Sequence, residues 1–260
     1  MRKTIIAGNW KMNNTRVEAK ALTEAVLQGI KGETGLPEIV LCPPFTSLQT
    51  VVDLVKGSPI KVGAQNMEYR DSGAYTGEIS PLMLKEMGVH YVLIGHSERR
   101  QYYGETNESV NAKVKAALKH GLAPVMCVGE TLEQREANRT DVLVATQVKE
   151  GLAGIAPGEL GSLVVAYEPV WAIGTGKTCE TGEAARVIKL IRAELDKIQP
   201  GLGEKTSVLY GGSVNAKCID EQLAQADIDG GLVGGASLKG DEFTALIKAG
   251  QKRQLAASKK

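Results

Sequence analysis

"TIIAGNWKMNNTRVEAKALTEAVLQG", residues 4–29, contains a strand, a turn and a helix in that order. Its first residues are apolar or small on both alternating faces, the pattern of a strand buried on both sides in a parallel sheet. Thr15 with Glu18 then makes a capping box, in which a hydroxyl and a carboxylate satisfy the backbone donors exposed at a helix start. Val17, Ala21, Leu22, Ala25 and Val26 predict one apolar stripe opposite Arg16, Glu18, Lys20 and Glu24, as for a helix lying on that sheet.

The unit recurs along the chain. Apolar runs rich in branched residues stand at "EIVLC" from Glu38, "IKVGA" from Ile60, "HYVLIG" from His90 and "LAPVMCVG" from Leu122, then at "SLVVAY" from Ser162, "TSVLY" from Thr206 and "IDGGLVGG" from Ile228. Between them lie further helix starts, a capping box at Thr131 and Gln134 and an N-cap followed by proline at Ser80-Pro81. Eight strand-helix units without a linker or repeat predict an α/β fold, a closed (β/α)8 barrel forming one catalytic domain over residues 1–260. An open doubly wound sheet is the competing arrangement. In both, ligands collect at the carboxyl ends of the strands.

Composition narrows the partners. With 31 basic and 30 acidic side chains the net charge is +1 and no run of one sign appears, so neither nucleic acid nor an anionic membrane is expected. No apolar stretch approaches the ~18 residues of a membrane span, and the first residues lack the pattern of a secretory signal, which predicts a cytoplasmic protein. Cys42, Cys127, Cys179 and Cys218 are scattered and are read as reduced thiols. Neither they nor His90, His96 and His120 have metal-ligand spacing, so no metal is expected.

The strand ends carry the chemistry. "GNWKMN" puts Asn9 and Lys11 beyond the first strand, "GHSERR" puts His96 beyond the fourth, and Glu168 ends the sixth in "AYEPVWAIGTGKT". Each has an ordinary reading alone: a turn asparagine, a solvated lysine, a loop histidine, a solvated glutamate. A helix beginning beside His96 would hold its ring neutral through its positive dipole end, while Pro169 and Trp171 could fix the backbone and exclude water beside Glu168, as suits a general base. Glycine pairs in "YGGSV" and "GLVGGAS", with Gly174 and Gly176 in the sixth loop, would let backbone N–H groups approach an anion. The first two follow strands seven and eight, the frequent phosphate position of such barrels. Base, cation and phosphate cradle on one face imply a small phosphorylated substrate.

Two sharper motifs fail. "GTGKT" resembles the end of a nucleotide-binding loop, but its first glycine would have to replace Trp171, and no G-x-G-x-x-G opens the first helix.

"GNWKMN", "GHSERR", "AYEPVWAIGTGKT", "YGGSV" and "GLVGGASL", in this order across the whole chain, resemble the triosephosphate isomerase family. The resemblance implies interconversion of dihydroxyacetone phosphate and glyceraldehyde 3-phosphate with no cofactor. By similarity Glu168 is the base, and Lys11, neutral His96 and Asn9 stabilise an enediolate. Gly174, Gly234 and Gly235 with Ser213 would hold the phosphate, Ser97 would be the resting partner of Glu168, and Glu98 that of Lys11. The sixth loop resembles the family's lid, hinged at Pro169-Val170-Trp171 and Lys177-Thr178-Cys179. Cys179 stands where alanine is usual, but it retains the backbone N–H that would meet Tyr210. The long third loop, Gln65 to Ser80, is expected to bind something; in the family this loop enters the neighbouring subunit near the residue matching Lys11, so the resemblance implies a homodimer with Thr76 at the contact. An epimerase on the same barrel would want a cluster of His and Asp metal ligands at strand ends, which is not visible here, and a Schiff-base aldolase a lysine inside a strand, where only Lys61 of "IKVGA" lies in one of these runs. A silent phosphate-binding barrel would not need Glu168 and His96.

Overall fold

The structure is a computed structural model that describes residues 2–173 and 179–257. Eight parallel strands, β1 (Ile5–Asn9), β2 (Glu38–Cys42), β3 (Ile60–Ala64), β4 (Tyr91–Ile94), β5 (Ala123–Val128), β6 (Val164–Tyr167), β7 (Ser207–Tyr210) and β8 (Gly230–Val233), pair in sequence order. Ile5 and Ala7 of β1 then pair with Gly230 and Leu232 of β8, which closes the ring and excludes the open sheet. A side chain at Gly230 would meet the Ile5 carbonyl at 1.8 Å, so this seam needs the missing Cβ.

Closure splits each strand between two cores. Ile5, Ala7, Val40, Cys42, Leu93, Val125, Cys127, Ala166, Leu209 and Leu232 point inward and fill the barrel. The alternate residues, among them Ile6, Ile39, Leu41, Val62, Val92, Met126 and Val165, face the helices. Side chains on both faces of most strands are therefore out of water, which explains the apolar runs; β3 is the exception, with Gly63 and the half-buried Lys61 on its inner face.

The helices are α1 (Arg16–Gly29), α2 (Leu48–Val55), α3 (Pro81–Glu86), α4 (Ser97–Tyr102), α5 (Asn107–Lys119) and α6 (Leu132–Glu136), followed by α7 (Thr140–Gly151), α8 (Thr181–Ile198), α9 (Leu202–Lys205), α10 (Ile219–Ala224) and α11 (Gly240–Ala257). The expected caps are present: the Thr15 N–H donates to Glu18 Oε2 at 2.8 Å, the Thr131 N–H to Gln134 Oε1 at 2.9 Å, and Met83 N–H to the Ser80 hydroxyl at 3.3 Å. The stripe on α1 is corrected. Its buried face is Ala19, Leu22, Thr23 and Val26, whereas Val17, Ala21 and Ala25 are exposed. Counting hydrophobic letters took in Val17; the helix instead turns the i, i+3, i+4, i+7 row from Ala19 toward the barrel.

The stretch "QKRQLAASKK" continues α11 as far as Ala257. Among the described residues no helix is long and apolar enough to cross a membrane. The four cysteines are free, and burial pushes the Cys42 thiol up to about 12.

Candidate active site

A cavity of about 370 Å³ opens at the carboxyl ends of the strands and brings together Asn9, Lys11, His96, Glu168, Ser213, Gly234 and Gly235. Five strand ends contribute, and each places its residue through a local cause.

Lys11 follows β1 with φ of 52°, a left-handed backbone that a lysine seldom adopts. Three bonds hold it there. Its N–H donates to Asn9 Oδ1 at 3.0 Å, its carbonyl accepts from Gln65 Nε2 at 2.8 Å, and Gln65 Nε2 is tied in turn to the Cys42 carbonyl at 2.8 Å. The strained turn aims the ammonium into the mouth, where Nζ lies 2.6 Å from Glu98 Oε1.

His96 caps α4 with its ring: the Glu98 backbone N–H donates to Nδ1 at 3.3 Å. With Nδ1 as acceptor, Nε2 is the ring nitrogen left to donate toward the cavity. The Glu98 carboxylate is 3.6 Å from Nδ1, outside hydrogen-bond range, and does not change this assignment. Nε2 faces Glu168 Oε1 at 3.1 Å.

Glu168 follows β6 and is 2% exposed. Its Oε2 accepts the Ser97 backbone N–H at 2.9 Å, so the carboxylate rests across the mouth between His96 and Ser97. Glycines make room for it. A Cβ at Gly129 would meet the Glu168 carbonyl at 1.8 Å and one at Gly211 its Cγ at 2.9 Å, so "YGGSV" supplies space for the carboxylate as well as amides. Beneath lies Cys127, whose thiol is pushed well up by burial and then by the Glu168 charge, and which stays protonated.

Gly234 and Gly235 present open backbone to the cavity: a Cβ on the first would come no closer than 3.6 Å to Lys11, and one on the second would meet nothing within 4 Å. The Ser213 hydroxyl donates to the Ala172 carbonyl at 2.8 Å, which joins the seventh loop to the start of the sixth. The buried Tyr210 hydroxyl has no full hydrogen bond among the described residues and faces the backbone of Cys179. Gly174, Gly176, Lys177 and Thr178 lie outside the described residues.

Four groups escaped the sequence reading. In the sequence Gln65 marks only the boundary of the third loop. Glu130 is fully buried at the end of β5, accepts from Trp171 Nε1 at 2.9 Å and from the Tyr167 hydroxyl at 3.2 Å, and has its carboxyl pushed up by burial. It stands two residues beyond β5, where Glu168 stands one beyond β6, so the strand-end reading that found Glu168 does not point to it. Arg135 stacks on Trp171 with its guanidinium carbon 4.6 Å from the ring centre. Glu105 accepts the Gly95 N–H at 3.0 Å and Arg99 Nε at 2.8 Å and pairs with Lys113, which reaches Asn66 of the third loop at 2.7 Å; no local pattern announces that cluster.

The third loop leaves β3 at Ala64 and enters α3 at Pro81, and Thr76 is exposed at its outer part. Arg70 lies 4.2 Å from the rings of both Tyr69 and Tyr75, which stiffens the loop. A second opening of about 500 Å³ lies between this loop and the site, lined by Lys11, Met12, Phe45, Gln65, Glu98 and Tyr103 among others. Met12 is 94% exposed there.

A sequence model described as triosephosphate isomerase matches residues 4–250. Among curated relatives of that name, the chain is 51% identical to one from Trichodesmium erythraeum over 247 residues, covering 95% of this chain and 99% of the relative. It is 49% identical to one from Clostridium tetani, with 95% and 96% covered, and 51% identical to one from Synechocystis, with 95% and 98% covered.

Proposed function

We infer that this chain, which belongs to the triosephosphate isomerase family, interconverts dihydroxyacetone phosphate and D-glyceraldehyde 3-phosphate, with its residues acting as one catalytic domain. The observation that carries the reading is the contact of Glu168 with Nε2 of His96 at 3.1 Å, beside the Lys11 ammonium, at the mouth of a glycine-backed cavity.

Glu168 turns from Ser97 to the substrate and removes a proton from the carbon next to the carbonyl. The charge that develops on the carbonyl oxygen meets the Nε2–H of His96, the Lys11 ammonium and Asn9, donors already oriented before reaction. His96 then moves a proton between the two oxygens, and protonated Glu168 returns its proton to the neighbouring carbon. Lys11 sits beside Glu98 until the anion arrives, so its charge is in place without being locked in a buried pair.

The phosphate is held by the amides of Gly234 and Gly235 with the Ser213 loop, joined by Gly174 of the sixth loop acting as a lid. Enclosure keeps water from the intermediate, which in water can expel phosphate and fall to methylglyoxal. Trp171 shields the base and Tyr210 meets the Cys179 N–H when the lid closes. A homodimer, in which the third loop with Thr76 enters the partner's opening beside Lys11 and Glu98, would cover the exposed Met12 and the 500 Å³ groove. The sixty-one balanced charges and the absence of a spanning helix among the described residues suit a cytoplasmic enzyme working without nucleic acid or membrane.

The test is a coupled assay of glyceraldehyde 3-phosphate isomerisation by the parent and by Glu168→Gln, which keeps the side chain's shape and removes its basicity. Loss of activity by about 10²-fold or more is expected. Full activity in the variant would overturn the assignment of the base.

A further inference from the structure

We propose that Arg135 is a positioning residue: it fixes the indole of Trp171 and thereby sets how well Glu168 is shielded from water during turnover. Trp171 and Glu168 line a common cavity of about 540 Å³ on the side of the barrel between the fifth and sixth loops. Where the indole sits therefore decides how freely water reaches the base from that side.

Two contacts among the described residues grip the ring. At its edge Nε1–H donates to buried Glu130 at 2.9 Å, a bond about which the ring can still swing. Its face carries the Arg135 guanidinium at 4.6 Å, which removes that freedom. Arg135 is itself anchored, since Nη1 lies 3.2 Å from Glu183 Oε1 in the first turn of α8 and 3.7 Å from Glu130 Oε1. Glu183 is braced from behind by Arg186, whose Nε is 2.9 Å away and whose Nη2 reaches Asp141 at 2.8 Å. One guanidinium from α6 thus joins Trp171, before the glycine-rich stretch, to Glu183, after it. A cation over a half-buried indole is enough to bias two ring positions by about three- to tenfold.

The inference rests on the isomerase reading in one respect, the use of methylglyoxal as the sign of a leaking intermediate. The experiment therefore has two readouts. Acrylamide quenching of tryptophan emission reports Trp171 directly, because Trp10 is fully buried. The ratio of methylglyoxal to isomerised product at equal conversion reports shielding. Arg135→Met keeps an unbranched, flexible stem and removes the guanidinium and its charge; Arg135→Lys restores a cation. Glu183→Gln, which loosens the anchor without touching the ring, serves if the methionine variant folds poorly.

Arg135→Met is expected to raise both quenching and the methylglyoxal share by about three- to tenfold, with Arg135→Lys recovering most of each and Glu183→Gln moving them by less. Unchanged quenching and an unchanged ratio in an active methionine variant would overturn the proposal. So would a lysine variant as altered as the methionine one, because the cation would then not be the agent. A parent without isomerase activity would sink the isomerase reading alone, since quenching would still decide whether Arg135 holds the indole.

Discussion

The two ends of the barrel each bury a carboxylate and treat it in opposite ways. At the amino end Asp229 accepts from Arg2 Nε at 2.9 Å, Arg192 Nη2 at 2.5 Å, Arg253 Nη2 at 3.0 Å and the Val208 N–H at 3.0 Å. A carboxylate has about four acceptor sites, so Asp229 has no lone pair to spare. At the carboxyl end Glu168, equally buried, holds one ring nitrogen and one amide. Saturation fixes a charge as a strut, while a partly satisfied charge facing a cavity can turn, take a proton and give it back. The same chemical group serves architecture at one end and reaction at the other because of what surrounds it.

Breaking the strut should have the largest effect. Asp229→Asn leaves three guanidinium groups around a neutral amide, and removing one partner of a buried ionic cluster costs about 3–5 kcal/mol. Calorimetry should show that loss of stability, with kcat unchanged where the fold persists. A melting temperature equal to the parent's would mean that solvent, not Asp229, compensates the arginines.

Glu168→Asp should do the reverse. Retracting the base by about 1 Å leaves fold and substrate affinity in place and lowers kcat by on the order of 10²-fold or more. If stability fell as well, Glu168 would be a strut too and the contrast between the two ends would dissolve.

The contrast also explains what the sequence made legible. Strand positions could be read because closure buries both faces of most strands, and runs such as "EIVLC" and "SVLY" have no polar break. Glu168, His96 and Lys11 could be read because they follow strands and stand in three of five motifs that keep one order along the chain. Val17 was misplaced on α1 because hydrophobic letters say nothing of which row turns inward. The Asp229 cluster was invisible, for its arginines come from residues 2, 192 and 253 and meet only when the barrel closes. Glu105 and Gln65 escaped for the same reason: they work by holding other residues, and such work depends on distance in space.

Removing several residues between Arg70 and Gly77 tests whether the catalytic end is held from outside the barrel. We expect monomers in which Lys11, seated by Gln65, and the His96 loop, braced through Lys113 and Asn66, lose their orientation, at a cost of about 10²-fold in activity, as for loss of an oxyanion donor. Sedimentation as a dimer, or full activity in a demonstrated monomer, would contradict it.

The smallest effect is a slope with pH, and it separates two more buried carboxylates. In Glu105 burial raises the carboxyl's pKa but Lys113 and Arg99 more than offset it, so the group is held below its ordinary 4.5. Its stabilisation is present above pH 4.5 and is lost as pH falls through the folded-state value. In Glu130 burial prevails over the bonds from Trp171 and Tyr167, so the group is held above 4.5. Its contribution is complete below pH 4.5 and is lost as pH rises through the folded-state value. Glutamine at either position does not titrate. Melting temperatures measured from acid to neutral pH should therefore show Glu105→Gln approaching the parent as the medium is acidified, and Glu130→Gln gaining on the parent as it is made neutral. Slopes of the same sign would show that the partners around one of the two have been misread, and Glu130 is the more exposed to that failure because Arg135 stands 3.7 Å away and pulls against burial.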